Sequence, residues 1–314
     1  MQHRILFADS NHPLLIQLLR EKGYVCDEDY ENPKELIEEK AALYDAVVIR
    51  SRFPIDREFI DRSTKLKCIA RAGAGLENID TAYAHSKGIT CVHAPEGNKD
   101  AVGEQALGML LALMNNLCRA DREVRTGKWI REGNRGFELQ GKTVGIIGYG
   151  NMGSAFAQRL RGFDVKILAY DKYKNGFGNG SVSESGMEQI FAEADVLSLH
   201  IPLTDETNRL VSDTFIAFFK KPFWLINTSR GKILDTKALV RGLESGKVRG
   251  AALDVLEYES ISFEGLDATL IPEAFQQLIR SDKVILSPHI AGWTYESHEK
   301  IARALAKKIM NVLG

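Results

Sequence analysis

The chain has 314 residues, 44% hydrophobic and 26% charged, with a formal net charge of -1. That length supports two domains with real cores, and the near-neutral balance without a basic block argues against nucleic acid or an anionic membrane as a partner. No apolar run approaches a membrane span, and the scattered cysteines (Cys26, Cys68, Cys91 and Cys118, with no C-x-x-C pair) read as reduced thiols of a cytoplasmic protein.

RILFAD reads as a first strand rather than a signal peptide, because Asp9 ends its short apolar run. Residues 13–22 follow as a helix, YVCDE as a weak strand, and residues 33–40 as a helix with proline in its first turn. AVVIRS, a short helix over 56–61, LKCIARAG, a helix over 78–86 and ITCVHA complete the alternation. Repeated β-α units of this kind predict a parallel sheet with helices on both faces, complete by Ala94. One long helix is expected from residue 100 to about 125. Its centre, ALGMLLALM, is apolar all round, so it should be buried and should cross from the first unit to a second. Residues 126–140, rich in glycine and arginine, are too long for a turn and predict a surface arm or an oligomer contact.

The second unit reads as a doubly wound α/β domain with strands TVGIIG, VKILAY, DVLSLH, FWLINTS, GAALDV and KVILSP, six in all. Helices are expected near 154–160, 186–194, 213–219, 235–244 and 272–279. A last helix over 297–313 is expected to fold back on the first unit and make that domain discontinuous. TVGIIGYGNMGSAFA places Gly148, Gly150 and Gly153 as G-x-G-x-x-G between a strand and a helix. Gly148 permits the tight turn, Gly150 leaves room for a pyrophosphate, and Gly153 lets helix and strand pack closely. The helix N-terminus offers the phosphates free N–H groups and a partial positive charge. VKILAY then leads to Asp171, a carboxylate placed to accept from ribose hydroxyls. It favours NAD over NADP by repelling a 2′-phosphate, with Lys172 and Lys174 tempering the preference. Because the fingerprint begins only at Gly148, another structure must be completed around or before it.

Ligands of a doubly wound sheet bind beyond the C-terminal ends of its strands. In this unit those ends carry His200 and Pro202, then Asn227, Thr228, Ser229 and Arg230, then Asp254, Glu257 and Glu259, then Ser287, Pro288 and His289. Redox chemistry on a 2-keto or 2-hydroxy acid needs a cation for the carboxylate and carbonyl, a proton donor–acceptor working near neutrality, and a carboxylate to orient it. Arg230, His289 and Glu259 supply these in that order. Plainer roles stand beside each: Arg230 as a helix cap or the partner of Glu244, Glu259 as a solvated loop acid near Glu257 and Glu264, His289 as a turn residue. No two histidines sit at ligand spacing, so no metal site is expected.

The order of these motifs resembles the D-isomer-specific 2-hydroxyacid dehydrogenase family over nearly the whole chain. The likeness is strongest in ELQGKTVGIIGYGNMG, LHIPLTDET, INTSRGKILDTKAL, GAALDVLEYE and LSPHIAGWT. It implies a flavodoxin-like substrate domain, residues 1–97 and 290–314, into which a Rossmann-type NAD-binding domain, residues 98–289, is inserted. It implies Arg230 as the residue that binds and polarises substrate, His289 as general acid/base and Glu259 as its partner. Along the cofactor it implies Gly148, Gly150, Asn151, Met152, Gly153, Asp171, His200, Pro202, Thr207, Thr228, Ser229, Asp254, Ala291 and Gly292. ARAGAGLENID looks like the family's glycine loop, with the N–H groups of Gly75 and Leu76 on the substrate carboxylate and Arg50, Ser51, Arg71 and Asn78 beside them. Arg50, Arg71 and Arg131 match positions that bear on phosphate binding in the 3-phosphoglycerate dehydrogenase branch, Arg131 reaching in from a partner subunit.

The implied activity is NAD-dependent hydride transfer between nicotinamide and a D-2-hydroxy or 2-keto acid, with substrate enclosed as the domains close. The first candidate substrate is 3-phosphoglycerate; glyoxylate or hydroxypyruvate is the alternative. A homodimer through the cofactor domains is expected, and no regulatory domain after Gly314. A rival class is an NAD(H)-sensing corepressor-like binding protein, disfavoured by the joint presence of Arg230, Glu259 and His289. An adenosylhomocysteine-type hydrolase is disfavoured by the lack of extra substrate-domain segments. Three departures from the family pattern are noted. Ser260 stands where proline is usual, which predicts a less rigid Glu259 loop; Glu96 and Gly103 replace a glycine and an alanine near the hinge.

Overall fold

A computed structural model describes residues 2–259 and 271–314; Ser260 and Glu264, weighed above, lie outside the described residues. The chain divides into two compact units, residues 2–99 with 293–314 and residues 100–259 with 271–292.

The first unit alternates β1 (Arg4–Phe7), α1 (Pro13–Glu21), β2 (Val25–Glu28), α2 (Lys34–Ala41), β3 (Ala46–Ile49), α3 (Arg57–Arg62), β4 (Cys68–Arg71), α4 (Thr81–Ser86) and β5 (Thr90–His93). The strands form one parallel sheet in the order β2-β1-β3-β4-β5, the flavodoxin-like arrangement, so the predicted fold class holds here. AVVI is buried at every residue because helices cover both faces. Ala46 and Val48 join the core on one face, and Val47 and Ile49 the core on the other. The proline expected inside the second helix is its N-cap, Pro33.

The single helix expected over 100–125 is two helices. α5 (Pro95–Met114) starts earlier, on a proline whose missing N–H costs nothing in a first turn, and α6 (Leu117–Arg125) follows a break. Asn116 sits at φ 54, a left-handed conformation that asparagine tolerates. Its amide reaches Arg135 O, and that of Asn115 reaches Leu111 O. Apolar periodicity does not register such a break. The two substitutions near the hinge also have physical accounts. Glu96 pairs with Lys308 at 2.6 Å. A Cβ on Gly103 would lie 3.0 Å from the Ala155 carbonyl, so glycine lets two helices approach closely.

The second unit contains β6 (Thr143–Ile147), α7 (Asn151–Arg159), β7 (Lys166–Tyr170), β8 (Ser183–Glu184), α8 (Met187–Glu193), β9 (Val196–Leu199), α9 (Asp213–Phe218), β10 (Phe223–Asn227), α10 (Thr236–Glu244), β11 (Val248–Leu253), α11 (Glu273–Arg280) and β12 (Val284–Leu286). Its sheet runs β12-β11-β10-β9-β6-β7-β8, all parallel, the Rossmann-type order with the switch between β6 and β9. Among the described residues, seven strands form this sheet where six are expected. The extra one, β8, is an exposed edge pair, Ser-Glu, too short and polar to carry a periodic signal. Along β10 the side chains alternate between two cores: Phe223 and Leu225 on one face, Trp224 and Ile226 on the other.

α12 (Tyr295–Leu313) closes the chain. Thr294 and Ser297 form a reciprocal capping box at its start. Ala302, Leu305, Ala306 and Ile309 pack into the core that holds Ile5, Phe7 and Val48 of the first unit. Among the described residues no helix is long and apolar enough to cross a membrane.

Candidate active site

The dinucleotide loop lies where β6 meets α7. Gly148 has φ 91, and a Cβ there would lie 2.3 Å from the His200 carbonyl. A Cβ on Gly153 would lie 2.0 Å from the Gly148 carbonyl, so only glycine lets helix and loop pack this closely. A Cβ on Gly150 meets nothing within 4 Å, so open space lies over the loop beside the α7 N-terminus. Asn151 is exposed and Met152 partly buried in that first turn.

Asp171 follows β7. Its carboxylate accepts from Tyr149 N at 2.8 Å, Tyr173 N at 2.9 Å and Lys174 N at 3.1 Å, which ties the glycine loop to the next one. The flanking lysines are occupied elsewhere: Lys172 pairs with Glu206, and Lys174 Nζ reaches Tyr149 O at 3.4 Å. On the next strand, His200 Nε2 bonds Ser198 Oγ at 2.8 Å, and burial pushes its imidazole down to about 3, so it is neutral at physiological pH. Thr207 Oγ1 bonds Pro202 O at 2.7 Å and shapes the loop after β9. Two buried polar atoms at adjacent strand ends, His200 Nδ1 and Thr228 Oγ1, have no hydrogen-bond partner among the described residues. Open space over the loop and unspent polar atoms beside it fit a dinucleotide.

Arg230 is carried on a turn built by Asn227, which is fully buried. Asn227 Oδ1 accepts from Ser229 N at 3.1 Å and Ser229 Oγ at 2.8 Å, and its amide donates to Arg230 O at 3.0 Å. Arg230 Nη1 donates to Ser229 O at 2.6 Å. The next residue explains why this turn lies against the loop after β11: a Cβ on Gly231 would fall 1.9 Å from Leu256 O.

That loop carries Glu257 and Glu259, and the structure separates them. Glu257 accepts from Thr236 N and Oγ1 and pairs with Arg209 at 2.9 Å, a structural role. Glu259 accepts from Leu256 N through one oxygen and from His289 Nδ1 at 2.7 Å through the other. The His289 and Glu259 side chains keep 24% and 13% of their accessible surface, so the pair is shielded without being sealed.

His289 is in the left-handed region at φ 54, and a buried carboxylate holds it there. Asp254, 1% exposed, accepts from Ser287 Oγ at 2.5 Å, Ile290 N at 2.9 Å and Ala291 N at 2.8 Å, while its carbonyl accepts from His289 N at 2.7 Å. Asp254 thus positions the histidine loop. Removing its carboxylate would strand three donors, each costing about 1–3 kcal/mol. Ala291 is buried and Gly292 half-buried directly after it.

In the first unit, strand ends again gather polar groups. Asp9 Oδ2 accepts from the backbone N–H groups of Arg50, Ser51 and Arg52. The Asn78 amide donates to Arg50 O at 3.0 Å, so it shapes that loop. Arg71 folds over Gly73, and His93 Nδ1 meets Ala74 O at 2.5 Å, bracing the loop that bears Gly75 and Leu76. The positioning roles of Asp9, His93 and Gly231 escape a reading of the sequence; the glycine directly after Arg230 is the one available signal. Arg131 is exposed on the arm. Among the described residues, no three His, Cys, Asp or Glu side chains converge as metal ligands.

Comparison with known proteins agrees with this geometry. Residues 107–291 match the family model described as "D-isomer specific 2-hydroxyacid dehydrogenase, NAD binding domain", so the second unit is an NAD-binding domain and NAD is its cofactor. The hydroxypyruvate reductase of Thermotoga maritima is 37% identical over 270 residues, 86% of this chain and 85% of that protein. The D-3-phosphoglycerate dehydrogenase of Methanocaldococcus jannaschii is 34% identical over 313 residues, 99% of this chain. The chain spans only 57% of that dehydrogenase's length, and the same share of the Archaeoglobus fulgidus protein of that name. Among solved structures, D-lactate dehydrogenase of Aquifex aeolicus, complexed with NAD and lactic acid, superimposes with a TM-score of 0.83 at 28% identity, covering 98% of this chain and 94% of that one.

Proposed function

The chain belongs to the D-isomer-specific 2-hydroxyacid dehydrogenase family, and we propose that it interconverts a D-2-hydroxy acid and its 2-keto acid with NAD. The observation that carries this reading is the His289–Glu259 pair at 2.7 Å, on a strand-end rim beside the turn that bears Arg230. Bound NAD supplies the hydride acceptor, or in its reduced form the donor, at the substrate C2 carbon. Glu259 holds Nδ1–H of His289, which leaves Nε2 to hold or deliver the proton at the C2 oxygen. The same carboxylate stabilises the imidazolium that forms when that nitrogen takes a proton. The Arg230 fork binds the substrate carboxylate and stabilises negative charge growing on the C2 oxygen. Asp254 and Asn227 act on the substrate only through the loops they hold.

The substrate we favour is 3-phosphoglycerate, with hydroxypyruvate or glyoxylate second; similar proteins bear all three names. Asp171, with Lys172 and Lys174 engaged elsewhere, supports NAD over NADP. The test is a panel of 3-phosphohydroxypyruvate, hydroxypyruvate and glyoxylate assayed with NADH and NADPH. At least one acid should be reduced, faster with NADH. NADH binding without turnover of any acid would favour a dinucleotide-sensing protein.

We assign the partner of the arm to a second copy of this chain. Leu117 and Val124 lie seven residues apart on one face of α6 and are exposed, as are Ile130, Phe137 and Trp129, the last 80% exposed. The arm is bound alongside α6 by Arg119 Nε to Asn134 Oδ1 at 2.8 Å and by Asn134 to Glu123, and exposed apolar side chains on both the helix and the arm are the kind of surface a partner covers. Light scattering should give a dimer, and Trp129→Asp should weaken it; a monomeric wild type at micromolar concentration would refute the assignment.

A further inference from the structure

We propose that Glu206 is a specificity-determining residue for the dinucleotide: from the loop after β9 it occupies Lys172, and so withholds from a 2′-phosphate the cation that directly follows Asp171. The inference rests on the reading of Asp171 as the acid at the adenosine ribose, and everything that carries it lies within the second unit. β7 and β9 flank β6 in the sheet, two strand spacings or about 10 Å apart, and the glycine loop leaves β6 between them. Lys172 stands at the end of β7 and Glu206 in the loop after β9, so their ion pair crosses the line of the strand that carries the glycine loop. Backbone sets both ends of the pair. Asp171 Oδ1 accepts from Tyr173 N at 2.9 Å and Lys174 N at 3.1 Å, which folds the chain tightly around Lys172. Thr204 N donates to Thr207 Oγ1 at 2.7 Å and that hydroxyl donates to Pro202 O at 2.7 Å, so Glu206 sits in a closed turn.

A carboxylate offers about four acceptor positions. Three N–H groups already donate to Asp171. What remains suits a ribose hydroxyl, which can donate. A 2′-phosphate brings acceptors and negative charge to the same acid, so it needs a cation there. Lys172 is that cation by its place in the chain. Its bond to Glu206 holds the ammonium above its ordinary range, charged but engaged. Lys174 is turned to Tyr149 O at 3.4 Å. A neutral 2′-hydroxyl makes no claim on Lys172, so the pair acts against one dinucleotide and not the other. Both side chains are exposed, 50% for Lys172 and 64% for Glu206, so one substitution is enough to release the lysine.

The experiment measures affinity without turnover. Adenosine 2′,5′-bisphosphate and adenosine 5′-monophosphate are titrated by calorimetry, and NADPH and NADH by fluorescence, into wild type, Glu206→Gln, Lys172→Met, the double variant and Asp205→Asn. Glu206→Gln should shift the affinity ratio about tenfold toward the ligands that carry a 2′-phosphate, and in the Lys172→Met background the shift should fall below about twofold. Asp205→Asn removes the same charge from the same exposed turn and leaves the pair intact, so it should move the ratio by less than about twofold. A shift as large in Asp205→Asn, or one that survives Lys172→Met, would reduce Glu206 to a bulk charge and overturn the proposal. An unchanged ratio in Glu206→Gln would overturn it too, whether or not the melting temperature falls. If wild type binds NADPH as tightly as NADH and Glu206→Gln still gains through Lys172, the preference for NAD fails and this assignment stands. If wild type prefers NADH and Glu206→Gln keeps the whole preference, this assignment fails alone.

Discussion

His289→Gln is expected to lower kcat about 10³-fold while leaving NADH affinity and thermal stability close to wild type. Glutamine keeps a polar side chain of similar reach and can still donate to Glu259, but it cannot exchange a proton at physiological pH. The loop itself is anchored independently of the ring. Asp254 takes Ile290 N, Ala291 N and Ser287 Oγ, and its carbonyl takes His289 N, so the substitution leaves four anchors in place. The measurement is steady-state kinetics beside fluorescence titration of NADH. Retention of more than about a tenth of wild-type kcat would remove His289 from the chemistry.

Arg230→Ala is expected to cut kcat/KM by about 10³-fold, through both terms, because in the proposed reaction one guanidinium serves ground-state binding of the carboxylate and charge on the C2 oxygen. Arg230→Lys should restore only part of this, since an ammonium cannot reproduce a planar fork. The turn should survive either change, because Asn227 holds it through the Ser229 backbone and hydroxyl and the Arg230 carbonyl. A rise in KM with undiminished kcat would show that Arg230 only binds.

Much of this molecule is legible before any coordinates. Buried parallel strands such as AVVI and TVGII announce themselves as apolar runs, and each strand end exposes the residue that follows it. The six strands read in the second unit are all present, and Gly148, Gly150 and Gly153 each have a steric or spatial account. Legibility stops where one residue depends on a distant one. Nothing around Asn116 in an apolar stretch foretells a left-handed break, because the alternative partners, Leu111 and Arg135 carbonyls, are known only from the fold. Glu257 and Glu259 look alike in sequence; the difference is which of Thr236 and His289 each reaches. Asp254 reads as a strand-end acid available to a cofactor, yet both its oxygens already accept from the histidine loop. Asp9 likewise reads only as the end of a short apolar run until three N–H groups converge on it.

The account turns on His289 and Arg230 acting on the same substrate oxygen. A crystal structure with NADH and oxamate, a keto-acid mimic that cannot be reduced, tests this directly. The expected result places His289 Nε2 and the Arg230 guanidinium both within about 3 Å of the oxamate amide oxygen, with Glu259 still on Nδ1. Oxamate bound with that oxygen facing neither group, or a His289 ring turned away from Glu259, would contradict it.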